Sequence, residues 1–260
     1  MKPDYKNWIP KGMMLALILG TALSLILFII SVIFGIGALR IVLCVVFGLA
    51  FVIFYMFSEW SVCAYKSFSY DGKRKLSKQI IEGTAKYIKL PEGGVGLDIG
   101  CGSGALTIAA AKRNPQGKMV GIDRWGKEYA SFNQSLCENN ALAEGVKNVS
   151  FQRGNAMKLD FPDESFDAVA SNYVYHNIAG ADKQELLMET LRVLKKGGTF
   201  AIHDLMSQRR YGDMHAFVQK LKDMGYDEVK LIDTTDGAFM TQKEAKRLML
   251  SGSTLLIGRK

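Results

Sequence analysis

Residues 95–104, Val-Gly-Leu-Asp-Ile-Gly-Cys-Gly-Ser-Gly, constrain this chain more than any other stretch. Val95, Leu97 and Ile99 alternate as a short buried strand, and Asp98 sits among them. Gly100, Gly102 and Gly104 then follow at every second position before an alanine-rich helix. A strand, a turn without side chains and a helix N-terminus together make a place where a ligand can lie against bare backbone. A pyrophosphate loop spaces its glycines G-x-G-x-x-G, whereas here the third glycine comes one residue early and an acid stands just ahead of the first. The acid argues against a polyanion.

Downstream of Gly94 the pattern alternates strand and helix without interruption. Strands are predicted over residues 95–99, 119–122, 149–153, 166–170, 199–203, 228–232 and 254–257, with helices over 105–113, 127–140 and 214–224. A further helix is opened by Asp182 with Glu185 three residues on, a capping box, and closed by Gly197-Gly198. Ahead of the first strand, residues 75–88 read as an amphipathic helix carrying Leu76, Ile80, Ile81, Thr84 and Ile88 on one face. The expected fold is α/β, a doubly wound, mostly parallel sheet. In this setting the D-x-G-x-G-x-G turn at Asp98, Gly100, Gly102 and Gly104 resembles motif I of the class I S-adenosylmethionine-dependent methyltransferases. The resemblance covers residues 76–260 and implies a seven-stranded Rossmann-like sheet, its last strand antiparallel between the fifth and sixth. The implied cofactor is S-adenosyl-L-methionine.

The excess hydrophobicity is local. Residues 13–37 and 41–57 hold no charged side chain, with only Arg40 between them, and at about 1.5 Å per residue they reach roughly 37 and 25 Å, lengths that cross a bilayer. Gly35-Ile36-Gly37 marks the bend of a two-helix transmembrane hairpin. A cleaved signal peptide fits less well, because the first run is long, a second follows at once, and no small-x-small cleavage site separates them. The expected division is a membrane anchor over 1–58, a juxtamembrane linker and helix over 59–90, and the catalytic domain over 91–260.

The formal charge of +8 could suggest nucleic acid, but it is concentrated at the membrane end. Residues 1–90 carry eleven Lys and Arg against four Asp and Glu, a net of +7; residues 91–260 carry twenty-two against twenty-one, a net of +1. Lys2, Lys6 and Lys11 precede the first run, and Lys66, Lys73, Arg74, Lys75 and Lys78 follow the second. By the positive-inside rule both termini and the catalytic domain face the cytoplasm. Cys44, Cys63, Cys101 and Cys137 show no disulfide framework, and three scattered histidines show no paired metal spacing, so no metal site is expected.

The resemblance implies roles for particular residues. Asp98, Gly100, Cys101, Gly102 and Gly104 form the cofactor turn. Asp123, nineteen residues beyond Gly104, ends the second strand where an acid accepts from both ribose hydroxyls, and Arg124 and Trp125 follow it. Asn155 and Ala156 end the third strand beside the adenine; the family usually has an acid at that point, and the amide oxygen of Asn155 still accepts a hydrogen bond. Asn172 ends the fourth strand at the methyl-donor end. Enzymes that methylate base amino groups carry two prolines and an aromatic after that residue, and Asn172-Tyr173-Val174-Tyr175 has none of the prolines, which disfavours nucleic acid as substrate. His176 and His203, with Asp204 next to the latter, fall at strand ends on the active face as candidates for a base. A packed, hydrogen-bonded histidine is the competing reading for each.

These readings predict a membrane-anchored methyltransferase acting on a small, hydrophobic or membrane-associated acceptor, similar to the quinone-methylating branch of the superfamily. The alternatives are a methyltransferase of a soluble metabolite or protein, and a membrane protein that binds S-adenosylmethionine without turnover.

Overall fold

The computed structural model describes residues 2–126 and 131–260. Of the helix expected over 127–140, residues 127–130 lie outside the described residues and 131–133 are not helical; the helix starts later, as α5 below, because the Asn133 side chain caps it by accepting from the Leu136 N–H. The chain forms two compact units, one of residues 7–77 and one that joins the residues up to Lys6 with residues 78–260.

The first unit is a helical hairpin. α1 (Lys11–Phe34) and α2 (Gly37–Phe68) are both long and apolar enough to cross a membrane. Gly35 caps α1, its N–H donating to the Ser31 carbonyl at 3.1 Å, and Gly37 opens α2 with φ +53°. α2 runs eleven residues past the apolar run that predicts it, through Glu59 and Lys66, because nothing between Ser58 and Phe68 breaks a helix. Small residues let the helices approach: a side chain at Gly20 would strike the Phe54 ring, and the Thr21 and Ser58 hydroxyls meet at 2.9 Å. At the open end the Asn7 amide donates to the Tyr65 carbonyl at 2.8 Å and Trp8 packs on Phe68. The outward faces are leucine, isoleucine, valine and phenylalanine; Leu19 is 68% and Phe34 74% exposed.

The second unit is an α/β sandwich. α3 (Leu76–Ala85) leads to β1 (Val95–Ile99), α4 (Ala105–Arg113), β2 (Lys118–Asp123), α5 (Gln134–Ala143), β3 (Val149–Arg153) and β4 (Phe166–Asn172). After a 3-10 turn at Tyr175–Asn177 come α6 (Lys183–Arg192), β5 (Leu194–Leu205), α7 (Gln208–Tyr211), α8 (Met214–Asp223), β6 (Asp227–Asp233), α9 (Gln242–Arg247) and β7 (Ser253–Arg259). The described strands form one seven-stranded sheet in the order β3-β2-β1-β4-β5-β7-β6, parallel except for β7, which is antiparallel to both its neighbours. The order reverses between β1 and β4, so the carboxyl ends of those strands open onto a crevice.

The apolar face expected on α3 is the one that is buried: Leu76, Ile80, Ile81, Thr84 and, just past the helix, Ile88 are at most 5% exposed. Asp182 caps α6, accepting from the Gln184 and Glu185 N–H groups. β5 begins earlier than expected, at Leu194. Its pairing with β4 jumps from Phe166↔Leu194 to Ala168↔Thr199, so Gly197-Gly198 forms a bulge inside the strand rather than the end of α6. Gly197 sits at φ +76°, which that bulge requires.

Candidate active site

The glycine turn lies at the carboxyl end of β1. Gly100, Gly102 and Gly104 have φ of +73°, +56° and +79°, a region that side-chain-bearing residues rarely adopt. A Cβ on Gly100 would come within 2.3 Å of the Val174 side chain, whereas the space beside Gly102 is open. The turn is tied to β2 by the Gly100 and Cys101 N–H groups, which donate to the Ile122 carbonyl at 2.8 and 3.0 Å. A ligand therefore meets a preformed backbone surface with room above Gly102.

Asp98 is buried beneath this turn and accepts from the Thr107 hydroxyl at 2.6 Å. Burial raises its pKa to about 7, even though the Thr107 hydrogen bonds pull the other way. Asp123 faces the turn from the end of β2. One carboxylate oxygen accepts from the Gly102 N–H at 2.9 Å and the other from the Trp125 N–H at 2.7 Å, leaving lone pairs on both for ligand hydroxyls. Trp125 takes a left-handed backbone, φ +44°, and its indole N–H donates to the Gly102 carbonyl at 3.0 Å, which lays the ring against the turn. Arg124 is exposed, and its carbonyl accepts from Arg153 at 3.3 Å. Cys101 is buried, and burial pushes its thiol pKa well up; Cys137 adds to this. Asn155 is exposed and closes its own turn, accepting from the Met157 N–H at 3.0 Å, while Ala156 packs against the core.

A second group lies at the ends of β4 and β5. The Asp204 carboxylate is fully buried and accepts from three backbone N–H groups: Tyr175 at 2.8 Å, His176 at 3.2 Å and Leu205 at 2.6 Å. The same carboxylate meets His176 Nδ1 at 2.5 Å. Burial works to raise its pKa, but the His176 hydrogen bond and charge, with the Leu205 N–H, hold it below the ordinary carboxylate value. His176 retains 16% side-chain exposure. With Nδ1–H directed at the carboxylate, the lone pair lies on Nε2.

The expected grouping of Asp204 with its neighbour His203 does not occur. Successive residues on β5 point to opposite faces, and His203 is enclosed on the other one. Its ring nitrogens meet Asn172 Oδ1 and Thr234 Oγ1, each at 2.9 Å, and burial drops its pKa to about 3. His203 is therefore a neutral bridge between β4, β5 and the segment after β6, without an exposed lone pair for a substrate. Tyr173 packs against it with ring centroids 4.6 Å apart and planes tilted by 58°, held by a 2.6 Å hydrogen bond to Ser253 and by a left-handed backbone at φ +55°. The parts played by Thr234 and Ser253 leave no local sequence signal, since Thr234 meets His203 31 residues away and Ser253 meets Tyr173 80 residues away; Thr107, nine residues after Asp98, lies in the first turn of the helix that follows the glycines.

A family described as a methyltransferase domain matches residues 91–250. The chain is a class I S-adenosylmethionine-dependent methyltransferase. This methyltransferase is 29% identical over 178 residues to the demethylmenaquinone methyltransferase of Lactobacillus johnsonii, covering 63% of the chain and 69% of that relative. It is 36% identical over 112 residues to the enzyme of the same name from Geobacillus stearothermophilus, covering 43% of the chain and 45% of the relative. Several of the curated relatives are thus matched over less than half of their length. Among solved structures, a geranyl diphosphate C-methyltransferase from Streptomyces coelicolor A3(2) shares the fold with a TM-score of 0.54 at 15% identity, covering 75% of the methyltransferase and 83% of that chain. The open space at Gly102, the positive φ of all three glycines and the free lone pairs of Asp123 fit the cofactor that the family uses.

Proposed function

We propose that this methyltransferase is anchored in a membrane through α1 and α2, with its catalytic domain on the cytoplasmic face, and methylates a small hydrophobic or membrane-associated acceptor. The observation that carries the reading is the pair of apolar helices with exposed apolar outer faces, fused to a methyltransferase domain. The names of the two relatives, which specify a demethylated menaquinone, support an acceptor that partitions into lipid. The basic residues at both ends of the hairpin support the cytoplasmic orientation. The membership of residues before and after the hairpin in one compact unit supports both flanks lying on the same side.

Bound S-adenosylmethionine supplies a methyl group on a sulfonium, an electrophile that needs no further activation. The protein has three tasks. In this reading Asp98, Gly100, Cys101, Gly102 and Gly104 provide the backbone cradle, Asp123 accepts from the ribose hydroxyls, and Arg124, Asn155 and Ala156 border the adenine. Asn172 and Tyr173, locked by His203 and Ser253, wall the donor end and exclude water. His176 Nε2 takes the proton from an acceptor that must lose one, and Asp204 fixes the tautomer and stabilises the imidazolium.

The test incubates native membranes containing the full chain with methyl-labelled S-adenosylmethionine and separates organic, aqueous and protein fractions. Label in the organic fraction, lost in Asp123→Ala, is the expected result. Label confined to the aqueous or protein fraction would sink the lipid-soluble acceptor and reduce the hairpin to an address.

A further inference from the structure

The residues that precede the hairpin are docked on the domain that follows it. The contact centres on Asn140, on α5, which is 1% exposed. Its amide oxygen accepts from the Asp4 N–H at 2.7 Å, and its amide nitrogen donates to the Asp4 carbonyl at 3.1 Å and to the Ser103 carbonyl at 3.0 Å. One side chain thus pairs with both backbone groups of Asp4, as a neighbouring strand would, and with the peptide between Gly102 and Gly104. Tyr5 adds a second attachment. It is 6% exposed, and its hydroxyl donates at 3.2 Å to Glu144, which also pairs with Lys112 on α4.

Cys137, Asn140 and Glu144 are three and four residues apart, so they share one face of the α5 helical path. That face holds the glycine turn on one side, where the Cys137 thiol meets the Gly102 carbonyl at 3.2 Å and Asn140 the Ser103 carbonyl. It holds the N-terminal arm on the other side. The amide of Asn140 meets three partners, so loss of the arm leaves two of its buried hydrogen bonds unmade and frees it to turn away from Ser103.

We infer that the N-terminal arm, residues 2–6, is a clamp on the cofactor turn, with Asn140 as the positioning residue that couples the two. This inference rests on the reading of the glycine turn as the cofactor site. Its thermodynamic consequence is reciprocal: a docked arm tightens S-adenosylmethionine binding, and the bound cofactor or its demethylated product tightens arm docking by the same factor. The sequence that enters the hairpin thereby reports on the occupancy of the active site.

The test uses the full chain in detergent micelles and the paired substitutions Asp4→Pro and Tyr5→Phe. These remove the Asp4 N–H and the Tyr5 hydroxyl while leaving Asn140, Ser103 and the domain interior intact. The expected result is an increase on the order of tenfold in the Kd and KM for S-adenosylmethionine, with kcat at saturating cofactor unchanged. In the unsubstituted protein, saturating S-adenosylhomocysteine should slow hydrogen exchange at the Asp4 and Tyr5 amides by a similar factor. Wild-type affinity in the double variant, or arm exchange indifferent to ligand, would overturn the clamp. Asp123→Ala serves as the companion: if it too binds normally, the placement of the cofactor site fails and the clamp with it.

Discussion

Replacing Asp204 by Asn changes one atom in a carboxylate that receives hydrogen-bond donors on both oxygens. One oxygen receives the Tyr175 and His176 N–H groups; the other receives the Leu205 N–H at 2.6 Å and His176 Nδ1 at 2.5 Å. An amide can keep its oxygen on the first side only by setting its NH2 against the second. The Leu205 N–H then loses its acceptor, a loss of about 1–3 kcal/mol of stability for a buried donor. The NH2 also donates to Nδ1, which moves the ring proton to Nε2 and removes the lone pair that would take a proton from the acceptor. The expected outcome is a fall in kcat of about 10²–10⁴ with cofactor affinity unchanged. Label transfer at saturating S-adenosylmethionine gives kcat, calorimetry gives Kd, and urea unfolding gives the stability. Nitrogen-15 NMR of the histidines reads the tautomer directly. A kcat within about threefold of the parent, with the tautomer reversed, would show that His176 is not a base in this reaction.

Gly100→Ala places a Cβ 2.3 Å from Val174 at φ +73°, and should lower stability by roughly 2 kcal/mol or more and weaken cofactor binding; Val174→Ala in the same protein should restore part of both. His203, neutral when folded with a pKa near 3 against 6.5 unfolded, loses stability as pH falls below 6.5, because only the unfolded chain takes up the proton. Asp98, near 7 folded against 3.8 unfolded, acts oppositely, its stabilisation fading as pH rises from 3.8 through 7, so the two offset each other over the shared window. His203→Gln should unmask a stability that declines with rising pH, and Asp98→Asn one that climbs, both read by urea unfolding between about pH 4.5 and 6 at up to about 1.4 kcal/mol per unit. Arg192 donates to the Leu159 and Phe161 carbonyls and to Glu189 and Asp163, a fork that a lysine cannot reproduce; Arg192→Lys should lower stability by about 1 kcal/mol in thermal unfolding without touching cofactor affinity.

The glycine turn and the strand ends around it were legible because their signals are local. Three glycines at fixed spacing, an acid at the end of the next strand and a run of strand and helix periods need no long-range knowledge. The group at the ends of β4 and β5 was less so. Reading Asp204 with His203 treats neighbours in sequence as neighbours in space, but on a strand they face opposite ways, and the carboxylate meets His176 from another element instead. The bulge at Gly197-Gly198 was hidden for a related reason: glycines that close a helix and glycines that kink a strand look alike until the pairing with β4 is known. The arm carries no periodicity, and its partner Asn140 lies 136 residues away.

The two halves respond to different measurements because they are built differently. The Gly102 carbonyl is taken by the Trp125 indole and the Cys137 thiol, the Gly102 N–H by Asp123, and the Ser103 carbonyl by Asn140. With its polar groups engaged by the protein itself, the turn holds its shape before any ligand arrives. Damage to these supports should therefore appear as lost affinity, through the cost of ordering the turn on binding. Asp204 and His176 hold no part of that turn, so damage to them should appear in rate. The seam between the halves is narrow: Val174 lies against Gly100, and the Ser171 hydroxyl donates to the Ile99 carbonyl at 2.9 Å. If the proposed roles hold, substitutions on that seam are the ones that should move affinity and rate together, since they shift the glycine turn and His176 relative to each other.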